Sequence, residues 1–311
     1  MWRYIVKRLL SGALTIWFIA TATFFAMHKV PGDPLSNERA VSAEIRRNLV
    51  AKYGLDQPLL TQYGIYLRNM VRGDFGISFT QQNRRVNDII REHFPVSALL
   101  GIFALMIAIT GAVIWGSLSA RYRGRWPDTA IMAMVICAVS VPSFVIAAFM
   151  QWLLLALERK FGVSLLPVAG WGSWRHAILP AIVLGLGTMA YMTRLLRASL
   201  LEIAQADYLR TARAKGLSRA RIFFFHRLRN ALLPVITILG PTIAAITTGG
   251  FVVELVFAIP GLGRYFVEAV QQLDYTVIMG TTVFYGAFLV VMVLVVDILY
   301  GFADPRIRVS R

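Results

Sequence analysis

Only one cysteine, Cys137, stands among the 311 residues. Without a second thiol the chain makes no internal disulfide, and without Cys or His neighbours at ligand spacing Cys137 belongs to no zinc module. It reads as a small apolar filler in a buried helix. Charge is scarce as well: Asp, Glu, Lys and Arg fill 15% of positions, against about 25% in soluble domains. No G-x4-G-K-[ST] occurs, so the chain does not hold ATP phosphates by a P-loop. Gly261-x-Gly263 is too short for a dinucleotide fingerprint and follows an apolar helix instead of a strand, which leaves a backbone turn. There is no H-E-x-x-H, and His28, His93, His176 and His226 are scattered over loop and interface positions. Structural or solvated roles fit them better than metal binding.

Apolar residues, by contrast, make up 57% of the chain, and the mean hydropathy is +0.63. That is too oily for a water-soluble protein of this length, so a membrane is its expected home. A bilayer core about 30 Å thick needs roughly 20 apolar residues of helix, since no backbone amide stays unpaired in hydrocarbon. Six uncharged runs qualify: 9–27, 96–120, 129–157, 177–193, 230–253 and 275–296. The fourth is the weakest, being short and carrying Pro180, Gly185 and Gly187. Snorkelling by Arg194 and Arg197 extends it. The first run follows Arg3, Lys7 and Arg8 and ends near Ala20-Thr21-Ala22, the layout of a secretory signal. Its 19 residues exceed a signal's apolar core and Phe24 and Phe25 continue it, so it is expected to remain as a span.

Six spans put both termini on one side, and basic residues choose that side, because short loops rich in Lys and Arg stay in the cytoplasm. The amino terminus, the second and fourth loops and the tail hold 18 Lys and Arg, whereas the third and fifth loops hold four. Both termini are therefore expected in the cytoplasm. The formal charge of +16 is largely this topology signal, and nucleic acid drops out as a partner. The first external loop is too long for a bare connection. One helix is expected from Ser42 to Gly54 with Ile45, Leu49 and Tyr53 four apart. A second is expected from about Asp56 and Pro58 to Gly73, with Leu59, Tyr63, Leu67 and Val71 on one face.

The fourth loop, 194–230, carries nine basic residues yet has the grammar of two helices. Glu202 to Lys215 reads as one, with Leu209, Ala212 and Gly216 on one side and Asp207, Arg210, Arg213 and Lys215 on the other. Gly216 suits the left-handed stop, and Ser218 caps a second helix that grows apolar through Phe223, Phe224 and Phe225 and enters the fifth span. A push on this exposed elbow would pass directly to a transmembrane helix. Elsewhere, acids at membrane depth need a partner or a task. For Glu254 a structural role and contact with the pathway or an external binding protein stand equal, and Asp297 is expected to pair structurally. Pro142 and Pro241 are candidate kinks, and Gly249-Gly250 a place where another backbone comes close.

Here the chain resembles a family, the permease subunits of binding-protein-dependent ABC importers, whose cytoplasmic loop carries an E-A-A-x3-G signature. Aligned on Gly216, the signature positions read Arg210-Thr211-Ala212, without the leading Glu, and His226-Arg227-Leu228-Arg229 replaces the Ile-x-Leu-Pro of the sugar branch. The run from Asp207 to Leu217 followed by Leu228-Arg229-Asn230-Ala231-Leu232-Leu233-Pro234 is similar to the peptide, dipeptide and nickel branch. So are Pro31-Gly32-Asp33-Pro34, Gly73-Asp74-Phe75-Gly76, Phe257 to Gly263, Asp274-Tyr275 and Asp304-Pro305-Arg306-Ile307-Arg308. Asn37-Glu38-Arg39 and Phe94 to Ala98 resemble most the first oligopeptide permease subunit.

The resemblance implies an all-α membrane protein with the type I ABC importer permease fold: a first span (1–28), a helical external segment (29–95) and a five-helix core (96–311). It implies a bacterial inner-membrane subunit, itself no enzyme and without a cofactor, that forms half of a path for oligopeptides or dipeptides. A second homologous permease, two ABC ATPases that bind ATP and Mg, an extracytoplasmic substrate-binding protein and membrane lipid are the implied partners. The ATPase-coupling residues would be Asp207, Tyr208, Arg210, Thr211, Ala212, Arg213, Ala214, Lys215, Gly216 and Leu217. A nickel or other small-solute permease is the alternative within the architecture. A self-sufficient carrier would need ionisable residues at mid-bilayer that are not found here.

Overall fold

A computed structural model describes residues 2–31, 50, 54–81, 84–162 and 164–303. Twelve helical segments are used below, and among the described residues the only β pairing is an isolated bridge between Ile77 and Arg85. Helix α1 is Trp2–Lys29, α2 Leu59–Val71, α3 Val86–Arg121, α4 Trp126–Ser140, α5 Ser143–Phe161 and α6 Trp174–Ile203. After them come α7 (Asp207–Ala214) and α8 (219–231), which is α-wound at Arg219–Arg221 and Arg229–Ala231 and π-wound at Ile222–Leu228 between them. The last four are α9 (Leu233–Gly249), α10 (Phe251–Val256), α11 (Leu262–Gln272) and α12 (Tyr275–Ala303).

Among the described residues five helical stretches are long and apolar enough to cross a membrane: Val6–Lys29, Val86–Arg121, Trp174–Ile203, Leu239–Val256 and Tyr275–Ile298. The apolar run at 129–157, which reads as one span, is instead the pair α4 and α5, bent by 105°. Pro142 is the cause. It has no N–H to donate and drives the preceding Val141 out of the helical region, to φ −93°, ψ 127°. Counting the pair once gives six spans. Pro241 breaks nothing, since it lies inside continuous α9. The chain breaks further on, at Gly250, between α9 and α10.

The chain forms two compact units, each assembled from stretches distant in sequence: 1–97 with 260–291, and 98–259 with 292–311. In the first, Phe24 of α1 packs with Phe79, Tyr275 and Met279, flanked by Tyr63 and Tyr66 of α2. Tyr63 shares a hydrogen bond with Thr21 (2.6 Å), and His28 donates from Nδ1 to the Phe24 carbonyl. The inward side of α2 is thus its tyrosines, whereas Leu59 and Val71, expected on that face, are exposed. Buried Asp274 caps α12 through Val277 N–H and Thr276 Oγ1 and accepts from Ser78 Oγ, Phe79 N–H, Thr80 N–H and Thr80 Oγ1. One carboxylate therefore satisfies the backbone of a loop nearly two hundred residues away in sequence. The helix expected over 42–54 lies outside the described residues, apart from Val50 and Gly54. The 37–39 motif and the tail from 304 lie outside them as well.

In the second unit α3, α6, α8 and α9 share a core of Ala112, Ala120, Met192, Leu196, Leu200, Ala231 and Val235. Ile131 and Val135 of α4 pack on Ala190. Small residues set the spacing, as expected where lipid is as apolar as the side chains. A Cβ on Gly185 would sit 2.7 Å from the Ala104 carbonyl oxygen, so the glycine that weakens the fourth span as a helix former lets α6 lie against α3. Cys137 is exposed, which corrects the expectation of a buried filler. In a membrane protein the outer surface is itself apolar, so apolar character does not foretell burial.

Replacing Gly185 by Ala is therefore expected to lower the melting temperature of the purified protein, at a cost of about 1–3 kcal/mol from overpacking. Gly187→Ala, where an added Cβ meets nothing within 4 Å, should leave it unchanged or raise it. Equal melting temperatures for the two variants would count against this packing.

Candidate functional site

The segment between α6 and α9 is shaped by three local signals. First, α6 closes with tightened i to i+3 bonds from Gln205 and Ala206 to the carbonyls of Glu202 and Ile203, and Ala206 is extended, at φ −69°, ψ 136°. The helix expected over 202–215 is therefore the last turn of α6, a break, and the eight-residue α7 beginning at Asp207. Second, α7 ends in a Schellman closure: Leu217 N–H bonds the Ala212 carbonyl, Gly216 N–H bonds that of Arg213, and Gly216 takes φ +76°. Third, Ser218 Oγ accepts from Arg221 N–H at 3.3 Å and caps α8.

These turns fold α7 back so that Leu209 and Ala212 pack with Ile222, Ile203 and Leu217. The opposite face is open to solvent: side chains of Asp207 and Arg210 are 91% and 80% exposed, and Arg213, Ala214, Lys215 and Gly216 are exposed too. Thr211 is exposed, and Tyr208 leans on α8, its hydroxyl accepting from Asn230 Nδ2 at 2.9 Å. Of the ten residues singled out from the sequence, the structure brings all into one bent element, Ala212 on its buried side. Arg221, Phe225 and Arg229, all exposed, follow at four-residue intervals along α8.

One arginine fastens this element to α6, and a second ties α6 to α4. Arg227 donates from Nη2 to the Leu200 carbonyl of α6 at 3.0 Å, and its buried Nε finds no acceptor among the described residues. Burial, reinforced by the Arg213 guanidinium, holds the Arg227 guanidinium below the usual arginine range. Arg197, expected to snorkel, instead forks onto Asp128: Nε to Oδ1 at 2.8 Å and Nη2 to Oδ2 at 2.7 Å. Ser119 Oγ and Gly124 N–H bond the same carboxylate. No sequence signal pairs these residues, which stand 69 apart.

Glu254 lies elsewhere in this unit. It is 2% exposed, and its N–H bonds the Gly250 carbonyl while its own carbonyl accepts from Ile259. Reaching an external protein would require that packing to open. Gly250 faces side-chain atoms of Glu254 and Leu184 at ordinary contact distance, so it admits no close backbone.

A bent, basic, solvent-facing element rooted among apolar spans is the pattern on which the family resemblance rests. Comparison with known proteins agrees: residues 112–309 match the binding-protein-dependent transport system inner membrane component family, and residues 1–101 match the N-terminal region of such membrane components. The chain belongs to this family. It is a multi-pass, all-α inner membrane permease with the type I ABC importer fold. It is 44% identical over 311 residues to the dipeptide transport system permease protein of Bacillus subtilis strain 168, covering 100% of this chain and 99% of that one. To the oligopeptide transport system permease protein of Haemophilus influenzae it is 40% identical, covering 99% and 100%. The corresponding oligopeptide permease of Escherichia coli K12 is 37% identical, at 99% and 100% coverage.

Because Gly216 sits at positive φ in otherwise open space, Gly216→Ala costs conformational strain alone, about 1–2 kcal/mol. Ser218→Ala removes a cap worth about 1 kcal/mol. Hydrogen exchange at residues 212–221 of the permease should speed up by roughly fivefold or more in each variant, with α3 and α12 unaffected. Unchanged exchange would mean that neither residue holds the bend.

Proposed function

We propose that this permease forms half of the translocation path of an ATP-driven importer for dipeptides or oligopeptides delivered by an external binding protein. What carries the reading is the bent element 207–217 in a chain that matches peptide permeases along its whole length. Both termini and the 194–230 loop face the cytoplasm, in accord with the bias of Lys and Arg. The 29–95 segment then lies outside, and 96–311 forms the core with its path-lining helices. Two ATPase subunits bind and hydrolyse ATP with Mg. A second, homologous permease supplies the other half of the path.

In this reading α7 docks on one ATPase. Its charged face, with Arg210, Arg213 and Lys215, meets the partner surface, while Leu209 and Ala212 keep it seated on α8. Displacement of the elbow passes through α8 into α9 across one turn at Leu232. Rigid-body rocking of the spans would then alternate the path between its two faces. The chain supplies geometry to this cycle and no chemistry.

The exposed triple variant Arg210→Glu, Arg213→Glu, Lys215→Glu should insert normally yet copurify about tenfold less with the ATPases, and lose ATP-dependent uptake of labelled peptide. Full uptake by that variant would refute the docking role. Deleting the gene should abolish peptide uptake; loss of nickel uptake with peptide uptake intact would select the small-solute alternative.

A further inference from the structure

Helix α6 is held by two arginine grips three residues apart. One is the Arg227 bond to the Leu200 carbonyl, coming from the bent loop. The other is the Arg197 fork on Asp128, at the start of α4. Each carboxylate oxygen of Asp128 has two donors: Oδ1 takes Ser119 Oγ and Arg197 Nε, and Oδ2 takes Gly124 N–H and Arg197 Nη2. Asp128 is 5% exposed and the Arg197 side chain 25%, so the carboxylate is withdrawn from water while the guanidinium keeps one edge outside.

Stability alone does not call for such a pair. Ile131 and Val135 already pack α4 on Ala190 of α6, and a buried ion pair is commonly no more stabilising than apolar residues of equal volume. What a bidentate fork adds is fixed geometry. Apolar surfaces slide past one another at small cost, whereas two parallel N–H···O bonds set both distance and rotation. At the far end of α4 stands the Val141–Pro142 break, where the chain turns by 105° into α5.

We propose that Asp128 and Arg197 are positioning residues for transport. Their fork makes α6 and the start of α4 one body, so that a displacement entering at the 207–217 elbow and handed to α6 through Arg227 reaches the bent pair α4–α5. The inference rests on the coupling role given above to that elbow.

The test uses the whole transporter, with its ATPases, second permease and binding protein, in proteoliposomes, and reads peptide moved per ATP hydrolysed. Arg197→Lys keeps the charge and loses the fork; Asp128→Asn keeps the volume and loses the pair. Both should assemble and hydrolyse ATP, while peptide moved per ATP falls about five- to tenfold. An environment-sensitive dye on Cys137, exposed on α4, should change emission on addition of ATP and vanadate in the unaltered complex and stay constant in Arg197→Lys. If Asp128→Asn fails to assemble, Arg197→Lys, which strands no charge, decides alone. Wild-type peptide per ATP in Arg197→Lys, or a dye response in that variant as large as in the unaltered complex, overturns the proposal. So does an equal fall of hydrolysis and transport, which marks a structural role only. If the 210, 213 and 215 triple variant is uncoupled and Arg197→Lys is not, this inference alone falls. If the triple variant transports normally, the coupling reading falls first.

Discussion

A peptide group in hydrocarbon has no water to bond, so a chain crossing a bilayer must close its own hydrogen bonds or gather its breaks where other groups can satisfy them. The long apolar helices α1 and α12 obey the first condition, as do α3 and α6 apart from the one N–H that each lacks at Pro95 and Pro180. The breaks at Val141–Pro142, 204–206 and Gly250 obey the second. Each has a local cause, and the loop breaks are closed by identifiable donors and acceptors: the tightened end of α6, the Schellman turn at Gly216 and the Ser218 cap. Because loose backbone is expensive near lipid, a change of direction in this chain is a fixed bend. A fixed bend can carry a push.

Polar side chains are spent in few places, and there they act in groups. Asp274 gathers six donors and ties α12 to the 78–80 loop. Asp128 gathers four and ties α4 to α6. In both cases a buried carboxylate is tolerated because its lone pairs are fully engaged, the condition under which an acid survives at low dielectric. Helix-to-helix contact elsewhere comes from small residues such as Gly185 and from shape. Transport by rocking needs this division: packed bodies that keep their interiors, and a few directional bonds that decide which helices move together.

Much of this was legible in the sequence because it rests on short-range chemistry. Apolar runs of membrane length, the Lys and Arg bias, the stop at Gly216, the cap at Ser218 and the break potential of Pro142 depend on a residue and its near neighbours, and each could be read without a fold. Family membership was legible in the same way, from local motifs spread over the chain. The misses share a cause too. That Arg197 grips Asp128 instead of reaching water, that Leu59 and Val71 point outward while Tyr63 and Tyr66 point in, and that Cys137 is exposed all depend on which helix arrives beside which. Hydropathy is least informative here, because lipid-facing and core-facing residues are equally apolar.

The sequence by itself determined which stretches are apolar and long enough to span, the stop at Gly216 and the cap at Ser218, and that a basic bent element links two membrane spans, because backbone hydrogen bonding, proline and glycine stereochemistry and insertion charge act over a few residues. Only the tertiary structure decided the 105° angle at Pro142, the burial of Glu254 and the pairing of Arg197 with Asp128. Those outcomes depend on distances between helices far apart along the chain, and side-chain shape sets such distances only once the helices have packed.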